Sequence, residues 1–227
     1  MRIPAVLGAV LLLAGCAHTV SDGSQQTRTR APSTTVTSAA PSAARPLPPS
    51  GPPGPGTPIS DVIAWVKAAT PADAARYHSA TREGATTGLG DDIAFTAPGG
   101  TVACMTDSKH ASGTLSCLVD LSKPPPRPPN ASGAWKGGWV DFDGASLQVG
   151  SVHGDPGAFI YGEGPELPDG QSLAFGDFRC RADHAGALCV NYAHRSAVAL
   201  SAAGVEPFGC LRPVPPPEDV GAKFSCP

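Results

Sequence analysis

Hydrophobic positions fall into three regimes along the chain. Residues 3–14 form one nearly unbroken apolar run behind Arg2. Residues 17–56 carry almost nothing large and apolar. From Thr57 onward apolar residues return, first at helical spacing and then in strand-like alternation. Ile59, Val62, Ile63 and Val66 recur on one helix face, and Trp65 widens it. Thr57 can cap that helix and Pro58 fits its first turn. Thr70-Pro71 repeats the start signal, with Asp73 where the helix dipole favours a carboxylate. A second short helix to about His78, meeting the first at Thr70, is therefore expected.

Past Gly84 the pattern changes. Short alternating runs at 92–96, 101–106, 114–119, 139–142, 145–149, 175–181, 187–192 and 197–201 read as strands. Asp143-Gly144 between two of them is a hairpin signal. Residues 123–130 hold five prolines and read as an extended, rigid surface loop. Residues 213–227 read as loop pinned by Cys226. The expected fold is mainly β, an antiparallel sheet, sandwich or partly open barrel, with a short N-terminal helical segment.

The first apolar run is shorter than the ~20 residues of a membrane span. It ends in Leu13-Ala14-Gly15-Cys16, which looks like a bacterial lipobox. Residues 1–15 then read as a signal peptide and Cys16 as the lipidated first residue of the mature chain. Two or more acyl chains would hold it stably to a membrane, on the extracytoplasmic face. Residues 16–56 are rich in Ser, Thr, Pro, Ala and Gly and read as a disordered tether. Forty flexible residues reach roughly 35 Å. Thr34, Thr35 and Thr37 resemble sites of sugar addition on actinobacterial lipoproteins, and equally suit a plain linker.

Residues 57–227 form the exported domain. Of the 16 Lys and Arg in the chain, four precede Thr57; of the 19 Asp and Glu, only Asp22 does. The domain is therefore acidic and shows no basic stripe, which argues against nucleic acid as a partner. Setting Cys16 aside, six of the 7 cysteines remain: Cys104, Cys117, Cys180, Cys189, Cys210 and Cys226. An even set in an exported domain reads as three disulfides, and the residues alone allow fifteen pairings. Neighbour pairing, 104–117, 180–189 and 210–226, places each bond across a turn. The spacings lack the short pairs of zinc knuckles.

Trp65, residues 71–78, 88–96 and 135–144, Phe178-Arg179-Cys180 and Cys189-Val190-Asn191 together resemble the LppI family of mycobacterial lipoproteins. The likeness includes the lipobox and spans most of the domain. It implies a cell-envelope lipoprotein and brings no catalytic or ligand-binding residues. A wider resemblance to small exported actinobacterial domains with paired-cysteine hairpins supports neighbour pairing.

The best candidate for chemistry is His153, with Asp141, Asp143 and Asp155: a base and carboxylates that could hold a divalent cation or activate water. The same residues also serve as turn punctuation. Asp91-Asp92 lacks the alternating acids of a calcium loop. No Gly-x-Ser-x-Gly nucleophile motif occurs, and bonded cysteines supply no thiolate. Trp135, Trp139, Phe142 and Phe159 suit a small core or a flat platform for sugar or lipid. No cofactor is called for. The expected role is a non-catalytic envelope module binding a lipid, glycan or protein partner. A hydrolytic or metal-dependent enzyme at 141–155 and a structural spacer are the alternatives.

Overall fold

The computed structural model describes residues 51–153 and 156–227, so the lipobox, Cys16 and most of the tether lie outside the described residues. In chain order the elements begin with helix α1 (Ile59–Lys67), strand β1 (Thr70–Pro71) and a 3-10 turn at Ala74–Tyr77. Strands β2 (Ser79–Arg82), β3 (Ala85–Gly88), β4 (Ala94–Thr96), β5 (Val102–Thr106) and β6 (Leu115–Val119) follow. Next come β7 (Trp135–Phe142), β8 (Ser146–Val152), a 3-10 turn at Gly157–Tyr161, and β9 (Gln171–Phe175). The chain closes with β10 (Phe178–Asp183), β11 (Gly186–Asn191), β12 (Ser196–Ser201), β13 (Gly204–Phe208), β14 (Arg212–Val214) and β15 (Val220–Ser225).

These strands make a sandwich. One sheet has six strands in the order β1-β9-β10-β11-β12-β13. The other has seven, in the order β14-β15-β8-β7-β6-β5-β4. Period-two alternation sends Phe95, Cys104, Cys117, Val140, Phe142 and Val149 from the second sheet against Leu173, Phe178, Cys180, Cys189, Val198 and Leu200 from the first. All are buried. Leu188, Val190 and Ala197 point out of the six-stranded sheet and receive Val62, Trp65 and Val66 of α1. Burying each valine there contributes roughly 1.5–3 kcal/mol. Arg181 fastens the helix further: its Nη1 donates to the Trp65 carbonyl at 2.7 Å, and its guanidinium lies 3.8 Å from the Trp65 ring centroid.

The opposite face of the seven-stranded sheet carries a smaller core. Ala94, Ala103, Met105 and Trp139 pack there against Ala80 and Phe159. Their cover is the β2–β3 hairpin and the turn at Gly157–Tyr161. Glu83 and Gly84, both at positive φ, form the hairpin bend, the geometry a two-residue type I′ turn demands.

Several expectations are corrected. Thr70-Pro71 opens no helix: Thr70 N–H donates to the Gly170 carbonyl at 3.1 Å and Ala72 N–H to the Ser172 carbonyl at 2.8 Å. This makes a short parallel edge strand beside β9, where a proline is tolerated. The second helix shrinks to one 3-10 turn, capped where Asp73 accepts from Ala75 N–H at 3.1 Å. The apolar run 175–181 is interrupted by the bend between β9 and β10. Residues 213–227 are not loop: β15 pairs with β8 and lies one strand in from the sheet edge, which β14 forms. The proline loop docks on its own sheet. A Cβ at Gly137 would lie 2.9 Å from Pro124 and one at Gly221 2.7 Å from Pro125. At the β7–β8 hairpin, Asp143 N–H donates to the Ser146 carbonyl at 3.2 Å, so Gly144 and Ala145 are the central residues.

The cysteines pair as neighbours: Cys104–Cys117, Cys180–Cys189 and Cys210–Cys226. The first two join residues directly opposite in register, with their sulfurs facing the central core. The third ties the chain just after β13 to the residue after β15 and is half-buried. Mild reductant without denaturant, followed by alkylation and peptide mass mapping, should label Cys210 and Cys226 first. Equal labelling of Cys104 or Cys180 would show that the sandwich opens as readily as its edge.

Candidate functional site

The seven-stranded sheet sets up a cross-strand row on its outer face. Met105 stands opposite Ser116, Ser116 opposite Asp141, and Asp141 opposite Gln148. Directly opposite residues share a face, so these side chains form one ledge. The apolar half of the outer face is roofed by Phe159 and the β2–β3 hairpin. The polar half is left open, and a cleft of 980 Å³ lies above it.

One wall of the cleft is the turn at Gly157–Tyr161. Phe159 turns inward and meets Trp139 edge-on, with centroids 5.5 Å apart. Ile160 and Tyr161 turn outward and are 51% and 48% exposed, the most exposed large apolar side chains among the described residues. Both line the cleft. The wall is anchored by Arg82 Nη1, which donates to the Ile160 carbonyl at 3.2 Å. Glu163 and Thr81 also bridge it to β2. Gly157 is required here: at φ +63° it crosses the edge of the Trp139 ring, 2.8 Å from where a Cβ would stand.

The opposite wall is the loop between β5 and β6, held by two carboxylates. Asp92 accepts from Thr106 Oγ1 at 2.9 Å, Ser108 N–H at 2.8 Å and Ser108 Oγ at 3.0 Å. Asp107 accepts from the backbone of Lys109 and His110 and pairs with His110 Nδ1 at 2.8 Å. Burial pushes Asp107 up, but the His110 side chain and these backbone donors outweigh it and hold its carboxyl below the usual range.

Asp141 and His153 meet on the floor. Ser116 Oγ donates to Asp141 Oδ1 at 2.6 Å, and His153 Nε2 stands 3.6 Å from Oδ2. The His153 ring is stacked on Trp139, with centroids 3.7 Å apart and planes 24° apart. Lys136 Nζ lies 5.4 Å from the Trp139 centroid. Trp139, on the same face of β7 as Asp141, is buried with its indole N–H lacking a well-formed hydrogen bond, yet it favours the charged carboxylate. Burial raises the Asp141 carboxyl; His153, Ser116 and Trp139 more than offset this and hold it below the ordinary value.

Of the four residues singled out from sequence, His153 and Asp141 are thus brought together. Asp143 lines the same cleft, but its oxygens are spent on its turn: Oδ1 accepts from Ala145 and Ser146 N–H, Oδ2 from Ser146 Oγ. Asp155 lies outside the described residues. Among the described residues no three His, Cys, Asp or Glu side chains converge as metal ligands would. Sequence reasoning missed Ser116, Gln148, Ile160 and Tyr161. The alternation of Trp139 and Asp141 along one strand face was the available signal for the floor, and an apolar Ile160-Tyr161 pair in a loop was the signal for the wall.

Asp141's contribution to stability is fully present above its unfolded value of ~3.9 and is lost as pH falls through its lower folded value. Asp141→Asn should therefore cost about 1 kcal/mol near neutrality. That deficit should shrink below about pH 4. Melting curves of both forms across pH check this; an equal deficit at pH 3 and pH 7 would rule out the charged form as the source. Comparison with known protein families, curated proteins and solved structures finds no match to this chain.

Proposed function

We propose that this chain is a cell-envelope lipoprotein whose domain is a non-catalytic binding module. In this reading residues 1–15 are a signal peptide, Cys16 carries the lipid at the extracytoplasmic face of the cell membrane, and 16–56 are the tether. Kinship with the LppI family belongs to the same reading. The lipobox residues, the tether composition and three disulfides support the address, since such bonds persist in oxidising compartments.

One observation carries the binding role: a 980 Å³ cleft walled by exposed Ile160 and Tyr161. Exposed apolar side chains on a concave polar surface mark a place where something is received. The occupant is a small molecule rather than a stacked sugar at Trp139, because His153 already covers one face of that ring.

The enzyme alternative has one observation in its favour, the Asp141–His153 pair. The order of groups opposes it. In a nucleophilic triad histidine sits between hydroxyl and carboxylate. Here Asp141 sits between Ser116 and His153, so Ser116 Oγ spends its proton on the carboxylate. Ser116 is also 4% exposed.

Two measurements test the proposal. Full-length protein expressed in an actinobacterial host should fractionate with membranes, and Cys16→Ser should release it. Wild-type protein in the soluble fraction would sink the anchor. Native mass spectra of the purified protein should show added mass that denaturation removes, whereas a bare native mass would favour a spacer.

A further inference from the structure

The electrostatics of the cleft narrow what it receives; the argument rests on the cleft being a ligand site. Its lining carries five aspartates, Asp91, Asp92, Asp107, Asp141 and Asp143, against one lysine, Lys109, and two histidines, His110 and His153, which face Asp107 and Asp141. Counting Lys136 beside Trp139 leaves the balance strongly negative. The hydrogen bonds that hold Asp92 and Asp143 come from neutral donors, backbone N–H groups and hydroxyls. Neutral donors add no positive charge to the cleft. Gathered around a concave surface with apolar walls, these charges focus a negative potential into the cleft.

The floor adds an independent sign. Asp141 accepts one short hydrogen bond, from Ser116 Oγ at 2.6 Å, while His153 Nε2 stands 3.6 Å from its other oxygen, longer than a well-formed hydrogen bond, and the Trp139 indole also favours its charged form. A half-buried carboxylate with acceptor capacity to spare favours a donor from outside the chain. Gln148, in register next to Asp141, offers an amide oxygen at the same level.

We propose that the cleft binds a small organic ammonium compound. Its cationic head sits at Asp141 and Gln148, and its apolar body lies along Ile160 and Tyr161. Tyr161 also lines the cleft, and an aromatic ring there suits a cation better than an anion. An anionic ligand of the same shape meets the negative field and is rejected.

The test compares n-octylammonium, octanoate and 1-octanol, three probes with one apolar chain and different heads, by calorimetric titration of the intact domain. Octylammonium should bind, and octanoate should bind at least roughly tenfold more weakly. Asp141→Asn should weaken octylammonium roughly tenfold and leave 1-octanol unchanged. Gln148→Lys, which keeps Asp141 and sets a cation beside it, should abolish octylammonium binding, so the idea stays testable if Asp141→Asn folds poorly. Failure of octylammonium to bind, equal binding of octanoate, or indifference to both substitutions overturns the proposal. Octanol or octanoate binding that Ile160→Asp weakens, with no preference for the ammonium, removes the charge inference and leaves the binding cleft standing. Silence from all three probes together with a bare native mass removes both.

Discussion

Strand alternation forces the seven-stranded sheet to solve two burial problems at once. Phe95, Cys104, Cys117, Val140 and Val149 face the six-stranded sheet, and Met105, Ser116, Trp139, Asp141 and Gln148 must face the other way. The inner face finds a partner of its own size. The outer face finds only a two-stranded hairpin and one 3-10 turn, which cover Ala94, Ala103, Met105 and Trp139 and then run out. The cleft begins where that cover ends. Had the row continued with valine or leucine beyond Met105, the exposed sheet would have needed a larger roof. Ser116, Asp141 and Gln148 instead make the uncovered half wettable, and a concave site results from incomplete coverage.

The same economy explains the cross-links. Aromatic side chains make up 6% of the chain, so the inter-sheet core is built largely from Val, Leu, Ala and four half-cystines. Two disulfides directly across strand pairs fill that layer and fix register at once. By the loop-entropy account each is worth about 3 kcal/mol. The third acts where packing is thinner, holding the end of β15 near the exit of β13. The β7–β8 hairpin tip also crosses between sheets: Ser196 Oγ donates to the Gly144 carbonyl at 2.5 Å, and Asn191 occupies the place a side chain at Gly144 would need. Register at that tip is inherited by Asp141 and Gln148, so the sheet-to-sheet contact also positions the cleft floor.

Local signals made part of this legible. Ile59, Val62, Ile63 and Val66 reported α1 because one continuous apolar stripe decides a helix. Neighbour pairing was readable for Cys104–Cys117 and Cys180–Cys189 because each pair flanks one strand-to-strand connection, and the third pair is what remains. Thr70-Pro71 misled because a cap-and-proline signature is local, while the β9 backbone that claims it lies a hundred residues away. β15 was invisible for a related reason: Val220, Ala222 and Phe224 alternate weakly beside prolines, and their value appears only once β8 is next to them. For the site, Asp141 and His153 were legible as one cluster because a single hairpin joins them, but the cluster also took in Asp143, which its own turn occupies. Ser116 and Ile160 entered through non-local pairing and through the orientation of a turn, which composition does not encode.

The arrangement of charge separates a receptor from a catalyst more sharply than the presence of any one residue. Catalytic carboxylates are set to exchange protons near the working pH, and their environments push paired groups apart in affinity. The Asp141 carboxyl is held below the ordinary carboxylate range by His153, Ser116 and Trp139, against the effect of its burial. In the proposed binding role, that bias toward the charged form suits a cationic ligand. His153, stacked flat on Trp139, is fixed in place by the same contact that closes the small core. The floor of the cleft is therefore rigid because it is also the edge of a hydrophobic cluster. Under the proposed binding role, a ligand there would meet groups the fold already holds, at little cost in ordering.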